Sequence, residues 1–203
     1  MIGGKSAILL CILGLLGLIA GDVVTTSILP FHVCPAMLCY VCFLGCVVCN
    51  IGIRMGRDWH VGTALSWCDT GLVYALATIG TGAWWGHQAW GSAWVWEPRL
   101  TGMLLMTLIF ASWRLACAIL GPALVRSGRL TATLLVLGLP SMFFTHVAVR
   151  FFGGIHPASV SSSGGHATWY GFVIVGISAI LLGAGVWLLD RRHQQKAGRM
   201  ATP

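Results

Sequence analysis

Charge is what this chain has least of. Only 8% of its 203 residues are Asp, Glu, Lys or Arg, and five of those are acidic. An ordinary soluble domain carries about 25%. So few charges cannot cover a soluble globule, which excludes a cytosolic enzyme, a nucleic-acid binder and a disordered chain. Also missing are a phosphate-binding glycine loop, the spacing of a Ser or Cys triad, and a carboxylate pair for hydrolysis. Any ATP-driven step therefore falls to partner subunits. Loop cysteine is scarce too. Of eight Cys, seven fall inside apolar runs, where thiols behave as small hydrophobes, and only Cys34 lies near a predicted loop. No disulfide framework is implied.

What the chain does have is apolar length. Its residues are 57% hydrophobic and its mean hydropathy is +0.86. A spanning helix needs about 20 apolar residues, so the fold class is an all-α integral membrane protein. Six helices are predicted, roughly at 6–28, 35–53, 63–83, 100–121, 131–150 and 168–189, in a single domain covering 1–203. The first run follows Lys5 and imitates a signal peptide, but Leu18 stands where a cleavage site wants a small residue, so it reads as a retained span. Pro140 falls inside the fifth span and predicts a kink there.

The net charge of +7 matters less here than where the charges fall. Lys5, Arg54, Arg57, Arg126, Arg129, Arg191, Arg192, Lys196 and Arg199 occupy both tails and alternate connections. The other connections, 29–34, 84–99 and 151–167, hold one basic residue, Arg99. The positive-inside rule makes the first set cytoplasmic and the second outward.

The outward stretch 84–99 is the oddest in the chain. It holds Trp84, Trp85, Trp90, Trp94 and Trp96, together with Glu97 and Arg99, the only charges in the outward loops. An aromatic belt at the membrane surface usually takes one or two Trp per helix end. Five suggest a platform for a flat, apolar ligand, because indole faces add about 0.5–1.5 kcal/mol per aromatic contact beyond area burial. If the stretch were helical, Trp90 and Trp94 would share a face.

Trp85-Gly86, Trp90-Gly91 and Trp94-Val95-Trp96-Glu97-Pro98-Arg99-Leu100-Thr101 together resemble the tryptophan-rich "WWD" signature of haem-handling proteins in cytochrome c biogenesis. Size, span number and loop position are similar to component C of cytochrome c maturation system I. Two positions depart from that pattern: Ala93 stands where the family has another Trp, and Glu97 where it has Asp. The resemblance implies haem b held by Trp85, Trp90, Trp94, Trp96 and Glu97.

Two histidines stand out beside it. His32 and His156 each lie in an uncharged outward loop leading into a helix, on opposite sides of the Trp segment. Neutral imidazole is a common haem iron ligand. Phe31-His32-Val33-Cys34-Pro35 and Arg150-Phe151-Phe152-Gly153-Gly154-Ile155-His156 resemble the family's two axial-ligand sites. His87 and His166, also outward, are the alternatives. Arg99 and Arg150, at outward helix ends, are the candidate partners of the haem propionates, against snorkelling or pairing with Glu97. Cys39, Cys42, Cys46 and Cys49 stripe one face of the second helix. They spread over about 15 Å, too far for one tetrahedral metal, and read as small-residue packing. Asp22, Asp69 and Arg114 lie in or near spans, with an internal ion pair and a transport role equally open.

The reading is a haem-delivery protein of the bacterial inner membrane, or the mitochondrial one, rather than an enzyme. The resemblance implies a membrane-anchored periplasmic haem chaperone as acceptor, with ABC-type ATPase and permease subunits and a small single-span subunit as partners. Alternatives are a cytochrome c haem lyase of the same WWD type, usually a much longer chain, or a transporter for another ligand. The charge asymmetry predicts the topology: both termini cytoplasmic, the three other connections outside. A reporter that works only outside the cytoplasm should be active when fused at Ser92; activity there of a cytoplasm-dependent reporter alone would reverse the orientation.

Overall fold

The structure, a computed structural model, describes residues 4–24, 27–56, 61–121, 132–154 and 169–200. These residues are helical almost throughout and contain no strand. The elements are α1 (Gly4–Val24), α2 (Leu29–Arg54), α3 (Val61–Trp90), α4 (Pro98–Leu120), a π-helical turn (Leu134–Gly138) leading into α5 (Leu139–Phe152), and α6 (Trp169–Met200). Among the described residues, α1 over Gly4–Asp22, α2, α4 and α6 over Trp169–Lys196 are long and apolar enough to cross a membrane. α3 is not among these four: its length carries Thr63, Ser66, Asp69, Thr70, Thr78 and Thr81.

Several predicted boundaries shift, for local reasons. The connection 29–34 is not a loop but the opening of α2. Pro30 sits at the first helical positions, where its missing N–H costs nothing. His32 therefore stands on a helix, its amide donating to the Ile28 carbonyl at 3.1 Å. α3 runs seven residues past the predicted end, since nothing before Gly91 breaks it. Gly91 then ends it with φ of 72°, a conformation that favours glycine. The Trp-rich outward loop is thereby corrected. Trp84, Trp85 and Trp90 ride on the last turns of α3, and only Trp94 and Trp96 lie in the 91–97 connection. Trp90 and Trp94 share no helical face. The disturbance expected at Pro140 takes the form of the π turn just before it, the kind of adjustment that accompanies a missing amide. α6 continues to Met200, eleven residues past its predicted end.

α1 packs on α6, α2 on α3, and α4 on α5, while α3 and α6 join the pairs. Gly4 meets Arg192 and Gly62 meets Gln194, so the starts of α1 and α3 and the end of α6 share one end of the bundle, here the termini end. Trp84, Trp85, Trp90, Trp94 and Trp96 cap the other. Lipid offers no hydrophobic reward for helix association, so close packing of small side chains does the work. The Cys stripe behaves this way: Cys39, Cys42, Cys46 and Cys49 are buried, and the described residues include no group of three metal-ligating side chains. In the same layer Phe43 stacks on Phe110 with centroids 3.9 Å apart.

The intramembrane charges separate. Asp22 is exposed at the Trp end of α1. Arg114 of α4 donates through Nε to Asp69 of α3 at 2.6 Å, an interhelical ion pair with about a quarter of each side chain exposed. Removing one partner strands a charge, whereas removing both does not. Arg114→Leu or Asp69→Asn alone should therefore lower stability by on the order of 2 kcal/mol, and the double variant by less than the sum. Thermal unfolding in detergent checks this; strictly additive losses would mean the pair carries no coupling.

Candidate functional site

Gly82 and Gly86, one turn apart on α3, form a shelf without side chains facing the start of α2 and the 91–97 connection. A Cβ on Gly82 would stand 2.8 Å from Cε1 of His32; one on Gly86 would meet the Ser92 carbonyl and the Trp90 ring, both at 3.2 Å. His32 thus leans over the lower step of the shelf and Trp90 over the upper. The imidazole is held by its Nδ1, which lies 3.1 Å from the Thr78 carbonyl and 3.3 Å from Oγ1 of Thr81. A carbonyl only accepts, so Nδ1 carries the proton and donates it. On the neutral ring Nε2 is then the nitrogen of metal-ligating type.

Above this layer the indoles pair edge to face. Trp85 and Trp90 have centroids 4.9 Å apart, and Trp94 and Trp96 5.6 Å apart. The Ser92 hydroxyl donates to the Trp94 carbonyl at 2.8 Å and folds the connection back. Trp84 and Trp96 are exposed, Trp96 by 75%. Glu97 closes the segment. It is 5% exposed, and its Oε1 accepts from the Leu100 amide at 3.0 Å, capping α4 just ahead of Pro98. Glu97 is thus first of all the cap that starts α4. Its Oε2 and the Trp94 Nε1 are buried without a hydrogen-bond partner among the described residues.

Arg99 lies in the first turn of α4, two residues after the capping Glu97. The structure brings His32 and Trp90 to successive turns of one face of α3. Arg150 is exposed at the end of α5 and makes no hydrogen bond or ion pair among the described residues. His87 is exposed on α3, beside the shelf. His156 and His166 lie outside the described residues. Sequence reasoning missed the shelf, Thr78, Thr81 and Tyr40. A Gly-x-x-x-Gly spacing at 82–86 was the available signal, since it marks close approach between helices.

The family description heme exporter protein C matches residues 7–199. The chain belongs to the heme exporter protein C family. It is similar to the heme exporter protein C of Paracoccus denitrificans, 28% identical over 187 residues, which are 83% of this chain and 75% of that one. The Rhodobacter capsulatus heme exporter protein C is 30% identical over 145 residues, 68% of this chain and 57% of that one. The cytochrome c biogenesis protein CcsA of Gloeobacter violaceus is 38% identical over 95 residues, 45% of this chain but only 27% of that protein.

The shelf in this member of the heme exporter protein C family is directly testable. Gly82→Ala should destabilise by about 1–3 kcal/mol through overpacking against His32. Gly80→Ala, on the same helix with nothing within 4 Å of the added Cβ, should gain up to about 1 kcal/mol from helix propensity. Thermal unfolding of the two variants side by side decides: equal shifts would mean His32 does not rest on Gly82.

Proposed function

We propose that this chain binds haem b at the Trp end of the bundle, on the outer face of the bacterial inner membrane, and delivers it to a membrane-anchored periplasmic chaperone for cytochrome c biogenesis. The observation that carries the reading is the imidazole of His32. Its Nδ1 donates to the Thr78 carbonyl, which orients the ring one turn below a cluster of indoles. A metal-ligating His whose second nitrogen donates to a carbonyl is oriented and made more basic. Flat indole faces and a nearby guanidinium suit a ligand that is apolar, planar and anionic at one edge.

In this reading His32 and His156 supply the two axial ligands. Trp85, Trp90, Trp94 and Trp96 wall the ring, while Arg99 and Arg150 meet the propionates. Glu97 contributes indirectly, by fixing the start of α4 and so the position of Arg99. All six helices cross the membrane, both termini are cytoplasmic, and the chain acts as one haem-handling domain. Its partners are ABC-type ATPase and permease subunits and a small single-span subunit. The names of the heme exporter relatives support delivery over bond formation; a haem lyase would instead join haem to an apoprotein.

The reading predicts a low-spin, bis-imidazole spectrum for the loaded protein. His32→Ala or His156→Ala should leave five-coordinate or weakly held haem, and the double variant should retain none stably. His87→Ala and His166→Ala should change the spectrum little. Arg99→Gln or Arg150→Gln should weaken retention while the spectrum stays low-spin. Absorption spectra of the purified variants check all of these. An unaltered low-spin spectrum in the His32/His156 double variant would place the ligands elsewhere, and no Soret band in the parent would favour another ligand.

A further inference from the structure

The helices of this bundle are not all in close contact. Among the described residues α1 packs along α6 but barely touches α3. Between them lies a cavity of about 180 Å³, with α1 and α3 as its rims and α2 and α6 as its floor. Leu18 stands on the α1 rim, and Val73 and Ala77, both exposed, stand on the α3 rim. The slot therefore opens sideways, out of the bundle.

Its walls are hydrocarbon. The polar side chains along it, among the described residues, are Thr70, Tyr74 and Thr81. Tyr74 donates to the Ala179 carbonyl at 2.6 Å, and Thr81 to that of Ala77 at 2.8 Å. Thr70 is 3% exposed and its hydroxyl oxygen is buried. Water gains little in such a space, and apolar cavities stay dry. Left empty, the slot forfeits the dispersion contacts of every wall. Leu18 and the α6 wall belong to stretches apolar enough to cross a membrane. The medium at its open side is then lipid tails.

Length and charge narrow the occupant further. The walls run from Thr70 to Thr81 on α3 and from Val186 to Val175 on α6, eleven residues in each case. That is about 16 Å of helix. Half of a bilayer's hydrocarbon core is about 15 Å. The shallow end, at Phe31, Thr81 and Val175, lies toward the Trp end, so the slot is one leaflet deep from that side. Asp22 stands at its mouth, exposed and one turn beyond Leu18 on α1. The preceding Gly21 pins that turn: a Cβ there would lie 2.8 Å from Val175 and 3.5 Å from the Phe31 ring. Asp22 makes no ion pair among the described residues. A carboxylate in that place complements a cationic headgroup. A primary ammonium brings three N–H donors to it, which choline and glycerol headgroups lack.

We infer that the slot holds one acyl chain of a phospholipid from the leaflet on the Trp side, a phosphatidylethanolamine whose ammonium group sits at Asp22. The chain fills the gap between α1 and α3. It also lies against Phe31, and so supports the first turn of α2. Its place does not depend on haem.

Native mass spectrometry of the full chain, released from nanodiscs with equal phosphatidylethanolamine and phosphatidylglycerol, tests this. The parent should keep one phospholipid per chain, the ethanolamine lipid several-fold more often than the glycerol lipid. Ala77→Phe puts a ring into the slot and should cut lipid retention several-fold. Leu76→Phe, on the lipid-facing side of α3, should leave it unchanged. Asp22→Asn should keep the bound lipid but bring the two headgroups to equal retention. Asp22 is exposed, so this comparison stands even where Ala77→Phe does not accumulate. Equal retention in Ala77→Phe and Leu76→Phe, an undiminished ethanolamine preference in Asp22→Asn, or a parent stripped of lipid would each overturn the inference. So would a quinone, or a second copy of the chain, bound in place of the phospholipid and lost on Ala77→Phe, because the mass then names a different occupant. The haem spectra of the His variants stand or fall independently of these outcomes.

Discussion

In hydrocarbon a polar atom must find its partner inside the protein, because no water is there to take its place. That constraint organises this molecule more than any apolar contact does. It explains why Arg114 and Asp69 meet across α3 and α4, and why the Tyr74 hydroxyl reaches a carbonyl of α6. It also explains why Asn50 folds back onto the Cys46 carbonyl at 2.9 Å. The same constraint sets His32. An imidazole at the head of α2 has to place its N–H, and the Thr78 carbonyl is where it goes. The tautomer and the orientation of the ring both follow from that one bond.

Glycine makes the bond reachable. A side chain at 82 would occupy the space of the ring, and one at 86 the space of Trp90 and the returning connection. Packing and chemistry therefore meet at one face of α3, where small residues let two groups approach a helix backbone that would otherwise be screened. Glu97 adds the third support. By capping α4 it ends the extended Trp94–Trp96 segment at a defined place and sets Arg99 in the first turn. Removal of any of these supports acts on the site at a distance, through geometry rather than through contact with a ligand.

Much of this was legible in the residues. The scarcity of charge and the length of the apolar runs led to an all-helical membrane protein, and four helices meet the length and hydropathy needed. The Trp signature led to the heme exporter protein C family. Boundaries were harder to read. A loop was expected at 29–34 because Pro30 and Pro35 punctuate it, yet proline at the first turn begins a helix as readily as it ends one. The stretch 84–90 read as a loop because Trp and Gly are poor markers of helix, yet nothing in it stops one until Gly91 turns to positive φ. His156 lies outside the described residues.

By itself, the sequence determined the solvent this protein lives in, the helical class that solvent demands, and the chemical types gathered near one end. Those are properties of composition and of runs, and they survive without knowledge of who touches whom. Tertiary structure alone decided the pairings. Arg114 found Asp69 rather than Asp22, His32 found a carbonyl on α3, and Tyr74 found one on α6. The partners in these contacts are 45 and 46 residues apart in the first two cases. No local periodicity encodes such distances; only the packing of α3 against α2, α4 and α6 brings the groups within reach.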